Sequence, residues 1–117
     1  MKHYLIKGQS ATIQSTVYTD DGNQKANLTS ATITFMLKGN PTDLDSQAIL
    51  TKNVGTGVTI INATEGICSI SLTASDTNTL SYQSLYFEIL VKLSTGAYIR
   101  TGIEELILNK NLIKTLN

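Results

Sequence analysis

Between Leu28 and Lys38 the chain reads Leu-Thr-Ser-Ala-Thr-Ile-Thr-Phe-Met-Leu-Lys, and from Ala31 onward side chains of two kinds alternate. Successive side chains of a β-strand point to opposite faces. Ala31, Ile33, Phe35 and Leu37 therefore form one apolar row, and Thr32, Thr34, Met36 and Lys38 form the other. A helix would scatter the same apolar residues around its cylinder, whereas threonine, isoleucine and phenylalanine suit a pleated surface. The stretch is expected to be a strand with one face in a core, and the rest of the chain reads as its partners.

The same alternation returns along the sequence. Ala11 to Thr19 places Ile13, Ser15 and Val17 in one row. Gln47 to Val54 and Val58 to Ile61 are weaker strands, separated by Gly55-Thr56-Gly57. In Gly66 to Thr73, Cys68, Ile70 and Leu72 face inward, and Ser69 and Ser71 are expected to face water. Ser84 to Leu93 is the most apolar strand, with Leu85, Phe87, Ile89, Val91 and Leu93 in one row. Its second row contains Leu90 as well as Tyr86, Glu88 and Lys92, which suits a central strand or a face covered by a partner. Ala97 to Leu108 returns as the last strand, with Gly102 expected at a bulge or kink. Asp20-Asp21-Gly22-Asn23 and Ser94-Thr95-Gly96 read as turns, and Thr73 to Leu80 as a helical turn that Ser75 or Thr73 can cap. Gly39 to Ser46, which holds the only proline, is a loop and a candidate contact surface. The 117 residues are expected to form one all-β domain, an antiparallel β-sandwich of about seven strands. Residues 1–8 form an edge strand or an arm. Residues 109–117 form a polar tail whose Leu112, Ile113 and Leu116 dock on a neighbour or cover the end of the sandwich.

Composition narrows the chemistry. Nine basic and nine acidic residues balance without runs of either sign, which argues against a nucleic-acid binder. Low net charge also weakens the repulsion between copies and suits an assembly subunit. No stretch has the length and apolarity of a membrane span, and none has the form of a secretory signal, so a soluble product made in a cytoplasm is expected. Cys68, the only cysteine, reads as a buried apolar residue. A thiol or serine nucleophile needs a base, and the sole histidine, His3, is expected at a mobile terminus. Ser75 and Asp76 therefore lack an activating partner. Asp20 and Asp21 lack the further ligands of a calcium loop, and Asp43 and Asp45 read as solvated loop acids. Glu104 and Glu105 are consecutive and must point to opposite faces, so they do not converge as a glycosidase pair, and one of them must be accommodated at an irregularity or an edge. No catalytic, metal or cofactor residue is assigned.

The order of these segments resembles a known layout. Lys7-Gly8 before a strand, the Asp21-Gly22 turn, Leu28-Thr29-Ser30-Ala31-Thr32-Ile33-Thr34-Phe35 and Gly66-Ile67-Cys68-Ser69-Ile70-Ser71-Leu72-Thr73 carry it. Ser75-Asp76-Thr77, Leu80, Tyr86-Phe87-Glu88-Ile89 and Ser94-Thr95-Gly96 continue it. Together they resemble immunoglobulin-like domains of tailed-phage virion proteins, the N-terminal domain of baseplate upper proteins above all. The resemblance implies an immunoglobulin-like sandwich without the tryptophan and cysteine pair of antibody domains. It also implies a non-enzymatic structural part of the capsid, neck, tail or baseplate that binds other virion proteins and copies of itself, made in a bacterial cytoplasm and placed in the virion. The alternative is a carbohydrate- or host-receptor-binding module, for which Tyr4, Tyr18, Tyr82, Tyr86 and Tyr98 offer stacking rings.

Overall fold

Ala31, Ile33, Phe35 and Leu37 are all buried, and their row is the floor of the core. The computed structural model describes residues 2–19, 24–80 and 84–109. Its elements in chain order are β1 (Lys2–Ile6), β2 (Ala11–Thr16), β3 (Thr32–Lys38), β4 (Leu50–Val54), β5 (Gly57–Asn62), β6 (Ile67–Leu72), α1 (Ala74–Asn78), β7 (Ser84–Lys92), β8 (Tyr98–Arg100) and β9 (Glu104–Asn109). A single 3-10 turn, Asp45–Gln47, lies in the loop after β3. The all-β class expected from the alternation is what the chain adopts.

The strands form one continuous sheet in the order β1-β9-β7-β3-β4-β5-β6-β2, with β8 on β7. The sheet curls until it is nearly a barrel. It is mixed, where an antiparallel arrangement was expected. β1 runs parallel to β9, from Lys2 opposite Glu105 to Ile6 opposite Asn109. Strands so far apart in sequence need no local crossover to lie parallel. β4 and β5 are also parallel over a short register, Asn53 with Gly57 and Val54 with Val58. There the chain curls through a turn in which Thr56 N–H donates to the Asn53 carbonyl (2.9 Å), and the start of β5 lies beside the end of β4. Residues 1–8 thus contribute an edge strand, and the nine strands among the described residues exceed the expected seven.

β7 is central, as its doubly apolar pattern implied, with β3 on one edge and β8 and β9 on the other. β8 and β9 are one return strand broken at Gly102. Thr101 N–H donates to the Ile89 carbonyl (3.1 Å), while Glu104 is the residue opposite Phe87. β7 advances from 89 to 87 while its partner advances from 101 to 104, so one residue is extra. Gly102, at φ 88°, takes the left-handed conformation that such a bulge uses. The Thr101 hydroxyl fills the resulting gap in the ladder by accepting from Ile89 N–H (3.2 Å).

On β6, Cys68, Ile70 and Leu72 are buried, and burial pushes the Cys68 thiol up from its ordinary pKa. Ser71 faces water, but Ser69 does not. It stands on the ladder between Thr59 of β5 and Gln14 of β2, paired on both sides. Of the two cap candidates, Thr73 caps α1: its hydroxyl accepts from Asp76 N–H (3.0 Å), and the Asp76 carboxylate accepts from Thr73 N–H (2.9 Å). Leu80 tucks beneath the turn and is buried. Thr77, fully buried, donates its hydroxyl to the Gln9 carbonyl (2.9 Å) and accepts from Gly8 N–H (3.0 Å), which pins the β1–β2 link to the helix. Asp76 also receives Lys52 of β4 at 2.8 Å. Burial opposes ionisation of Asp76, but the bonds from Lys52 and from Thr73 N–H outweigh it and hold the carboxyl below its ordinary pKa.

The turn read at residues 20–23 and the tail at 110–117 lie outside the described residues, as does Tyr82. A Tyr18–Lys25 bridge, with Thr19 N–H donating to the Gln24 carbonyl (2.8 Å), brackets the first of these.

Candidate functional site

The ladder leaves one seam in the sheet. β2 pairs with β6 alone, β8 with β7 alone and β1 with β9 alone, so among the described residues each has an edge without a strand partner, β1 and β2 being the two ends of the strand order. Hydrogen-bond alternation shows which groups are turned out. Val17 N–H donates to the Gly66 carbonyl (2.8 Å), next to the β6 ladder, so odd-numbered β2 residues bond inward along the sheet and Thr12, Gln14 and Thr16 point their backbone groups away from it. On β8, Leu93 N–H donates to Ala97 (2.8 Å) and Thr101 N–H to Ile89 (3.1 Å), which leaves the backbone of Tyr98 and Arg100 on the open side. The free edge of β2 therefore flanks one groove, with β8 and, lower down, His3 of β1 across it. The groove contains a cavity of about 390 Å³ lined by His3, Ile13 to Thr16, Thr101, Ile103 and Glu104, and above it one of about 270 Å³ between Thr16–Thr19 and Ile99–Thr101.

His3 and Glu104 stand at the lower end of this seam. Register places both on the inward face, His3 beside Leu106 and Glu104 beside Phe87. His3 Nε2 meets Glu104 Oε1 at 3.2 Å, and its ring lies 5.1 Å from that of Phe87. The histidine expected at a mobile terminus is thus held in a strand. Glu104 is the acid that the core had to accommodate: it is inward, next to the Gly102 bulge, and only about one-fifth exposed (22%). The parity of His3 with Leu5 and of Glu104 with Leu106 carried this information in the sequence, once the first and last strands are known to be neighbours.

A second recess lies on the outer face of β3, β7 and β8. It measures about 160 Å³ and is lined by the outward row Thr34, Met36 and Lys38, by Tyr86, Glu88 and Leu90, and by Arg100. The loop after β3 rims it through Pro41 and Asp45. Its charges are paired in place. Lys38 Nζ bonds Asp45 (2.8 Å) and the Asp43 carbonyl (3.0 Å), and Arg100 bonds Glu88 (3.0 Å). The Lys38 bond and charge hold Asp45 below its ordinary pKa, so Asp45 is a paired acid although the loop is exposed. A recess with an aromatic ring, apolar walls and fixed donor and acceptor pairs is chemically able to take a small polar ligand.

The structure separates the other candidates. Tyr4, Tyr18 and Tyr98 are exposed, but they stand on β1, after β2 and on β8, and Tyr86 alone lines the recess. Of the apolar residues that alternation places on outward rows, Ile61 is exposed, Ile67 is half-buried, Ile49 packs against the core and Leu90 lines the recess. No group of three or more metal-ligating side chains gathers among the described residues, and no helix among them is long and apolar enough to cross a membrane. No protein-family model matches the chain, and no curated protein matches it either.

Proposed function

We propose that this chain is a non-enzymatic structural domain of a tailed-phage virion, in the capsid, neck, tail or baseplate, which works by binding copies of itself and another virion protein. The observation that carries the reading is the composition of the open edge. Sheet edges are ordinarily blunted by lysine, proline or a bulge, because an uncovered edge pairs with other chains. β2 reads Ala-Thr-Ile-Gln-Ser-Thr, with no charge and no proline, and keeps an unbroken register with β6. An edge of this kind is suited to being covered by protein. The immunoglobulin-like virion domains that the sequence resembles add support, as does a net charge of zero.

The test is the mass of the full chain in solution by light scattering across a range of concentrations. A discrete oligomer that dissociates on dilution is expected. A monomer at every concentration would overturn self-association. The recess around Tyr86 favours a second reading, a glycan- or receptor-binding module, and it would then take precedence.

A further inference from the structure

We infer that the seam between β2 and β8 is the acceptor for residues 110–117 of a second copy, which enter as an added strand. The inference rests on the assembly reading above and deepens it by naming the occupant. A strand placed in the groove would meet backbone groups without a partner among the described residues on both sides, Gln14 and Thr16 on one and Tyr98 and Arg100 on the other. This is the geometry of strand addition, in which main-chain bonds supply affinity and alternate side chains supply specificity.

Residues 110–117 read Lys-Asn-Leu-Ile-Lys-Thr-Leu-Asn. In an extended chain Leu112, Lys114 and Leu116 share one face, about 6.6 Å apart at roughly 3.3 Å per residue. The inward wall of the seam matches that row. Its carboxylate is Glu104, whose Oε1 receives His3 and whose other oxygen has no partner among the described residues. Ile13, which is buried, lines the same cavity, and the buried Ile99 lines the one above. Lys114 supplies a cation for Glu104, and a flanking leucine supplies apolar surface beside Ile13 and Ile99. Eight residues extend about 26 Å, enough for a strand of the length of β2 with residues to spare.

The donor is a second copy because of where the last described strand ends. Asn109 accepts from Lys7 N–H (3.0 Å) at the far end of β1. From there β1 and the 7–10 link stand between the end of β9 and the seam. Thr77 fastens that link in place through Gly8 and Gln9.

The experiment is complementation between two full-length variants. Gln14→Pro removes one outward N–H from the β2 edge and leaves the bonds to β6 intact, so the acceptor is blocked in a folded chain. Leu112→Asp with Leu116→Asp spoils the donor and leaves the acceptor intact. Each variant alone is expected to be monomeric where the wild type associates, and an equimolar mixture is expected to give a one-to-one dimer. If either variant alone keeps the wild-type mass, tail-in-seam docking is overturned while assembly stands, and pairing of two β2 edges or another surface must carry it. If both variants are monomeric but the mixture stays monomeric, exchange between copies is overturned and the tail acts within its own chain. If the wild type is itself monomeric, the assembly reading fails first. Circular dichroism on each variant confirms that the fold is retained.

Discussion

Gly66→Ala is expected to destabilise the domain by more than roughly 3 kcal/mol, with failure to accumulate as folded protein as the extreme outcome. Two effects combine at this position. Gly66 has φ 69°, and a residue with a Cβ placed there costs about 1–2 kcal/mol more than glycine. In addition, that Cβ would stand 2.5 Å from the Val17 carbonyl oxygen and 2.9 Å from that of Ala26. Both obstacles are backbone, so neither yields by a rotamer change. They also belong to the knot of bonds that joins β2 to β6, since Val17 N–H donates to Gly66 and Ala26 N–H to Val17, both at 2.8 Å. Gly96→Ala is the matched control. Its φ of 93° is also left-handed, but nothing lies within 4 Å of the added atom. Only the conformational cost of about 1–2 kcal/mol is expected there. Urea denaturation of the two variants, compared with wild type, measures the difference.

The second large effect is Phe35→Ala, expected to cost about 3–5 kcal/mol. Phe35 is fully buried, and its ring lies 5.2 Å from that of Phe87, which in turn lies 5.1 Å from that of His3. Removing it takes away apolar contact area and leaves a void against which Phe87 can shift. Met36→Ala, one residue along and on the outer face, is expected to cost less than about 1 kcal/mol. A smaller loss at Phe35 than at Met36 would mean that the strand presents its other row to the core. The ring chain to His3 adds a specific signature: the His3 ring resonances should move in the Phe35 variant and stay in place in the Met36 variant.

Much of the fold was legible in the sequence because period-two alternation reports burial directly. The rows of β3, β6 and β7, the cap at Thr73, the bulge at Gly102 and the buried thiol of Cys68 all follow from side-chain parity or local turn chemistry. What alternation does not encode is which strand lies beside which. The parallel β1–β9 and β4–β5 pairings join edges by backbone bonds that no side-chain pattern marks. From the sequence alone His3 therefore reads as part of a mobile terminus, although its partner Glu104 stands in the neighbouring strand. Alternation likewise places Ser69 on the outer row facing water, whereas it is buried between two paired neighbouring strands. The open seam was equally hidden, since an edge exists only once the strand order is known. The recess at Tyr86 shows the same limit, because residues from β3, β7, β8 and the loop after β3 converge there by tertiary arrangement alone.

Residue-resolved amide hydrogen exchange, followed as the protein is concentrated, tests most directly whether the seam is open in the single chain and filled in the assembly. In dilute solution protection should alternate along the edge: Ile13, Ser15 and Ile99 slow, and Gln14, Thr16, Tyr98 and Arg100 fast. As copies associate, the four fast amides should become protected together, with little change in the slow ones. Protection of Gln14 and Thr16 already in the dilute monomer, or their continued fast exchange in a fully formed oligomer, would contradict the account.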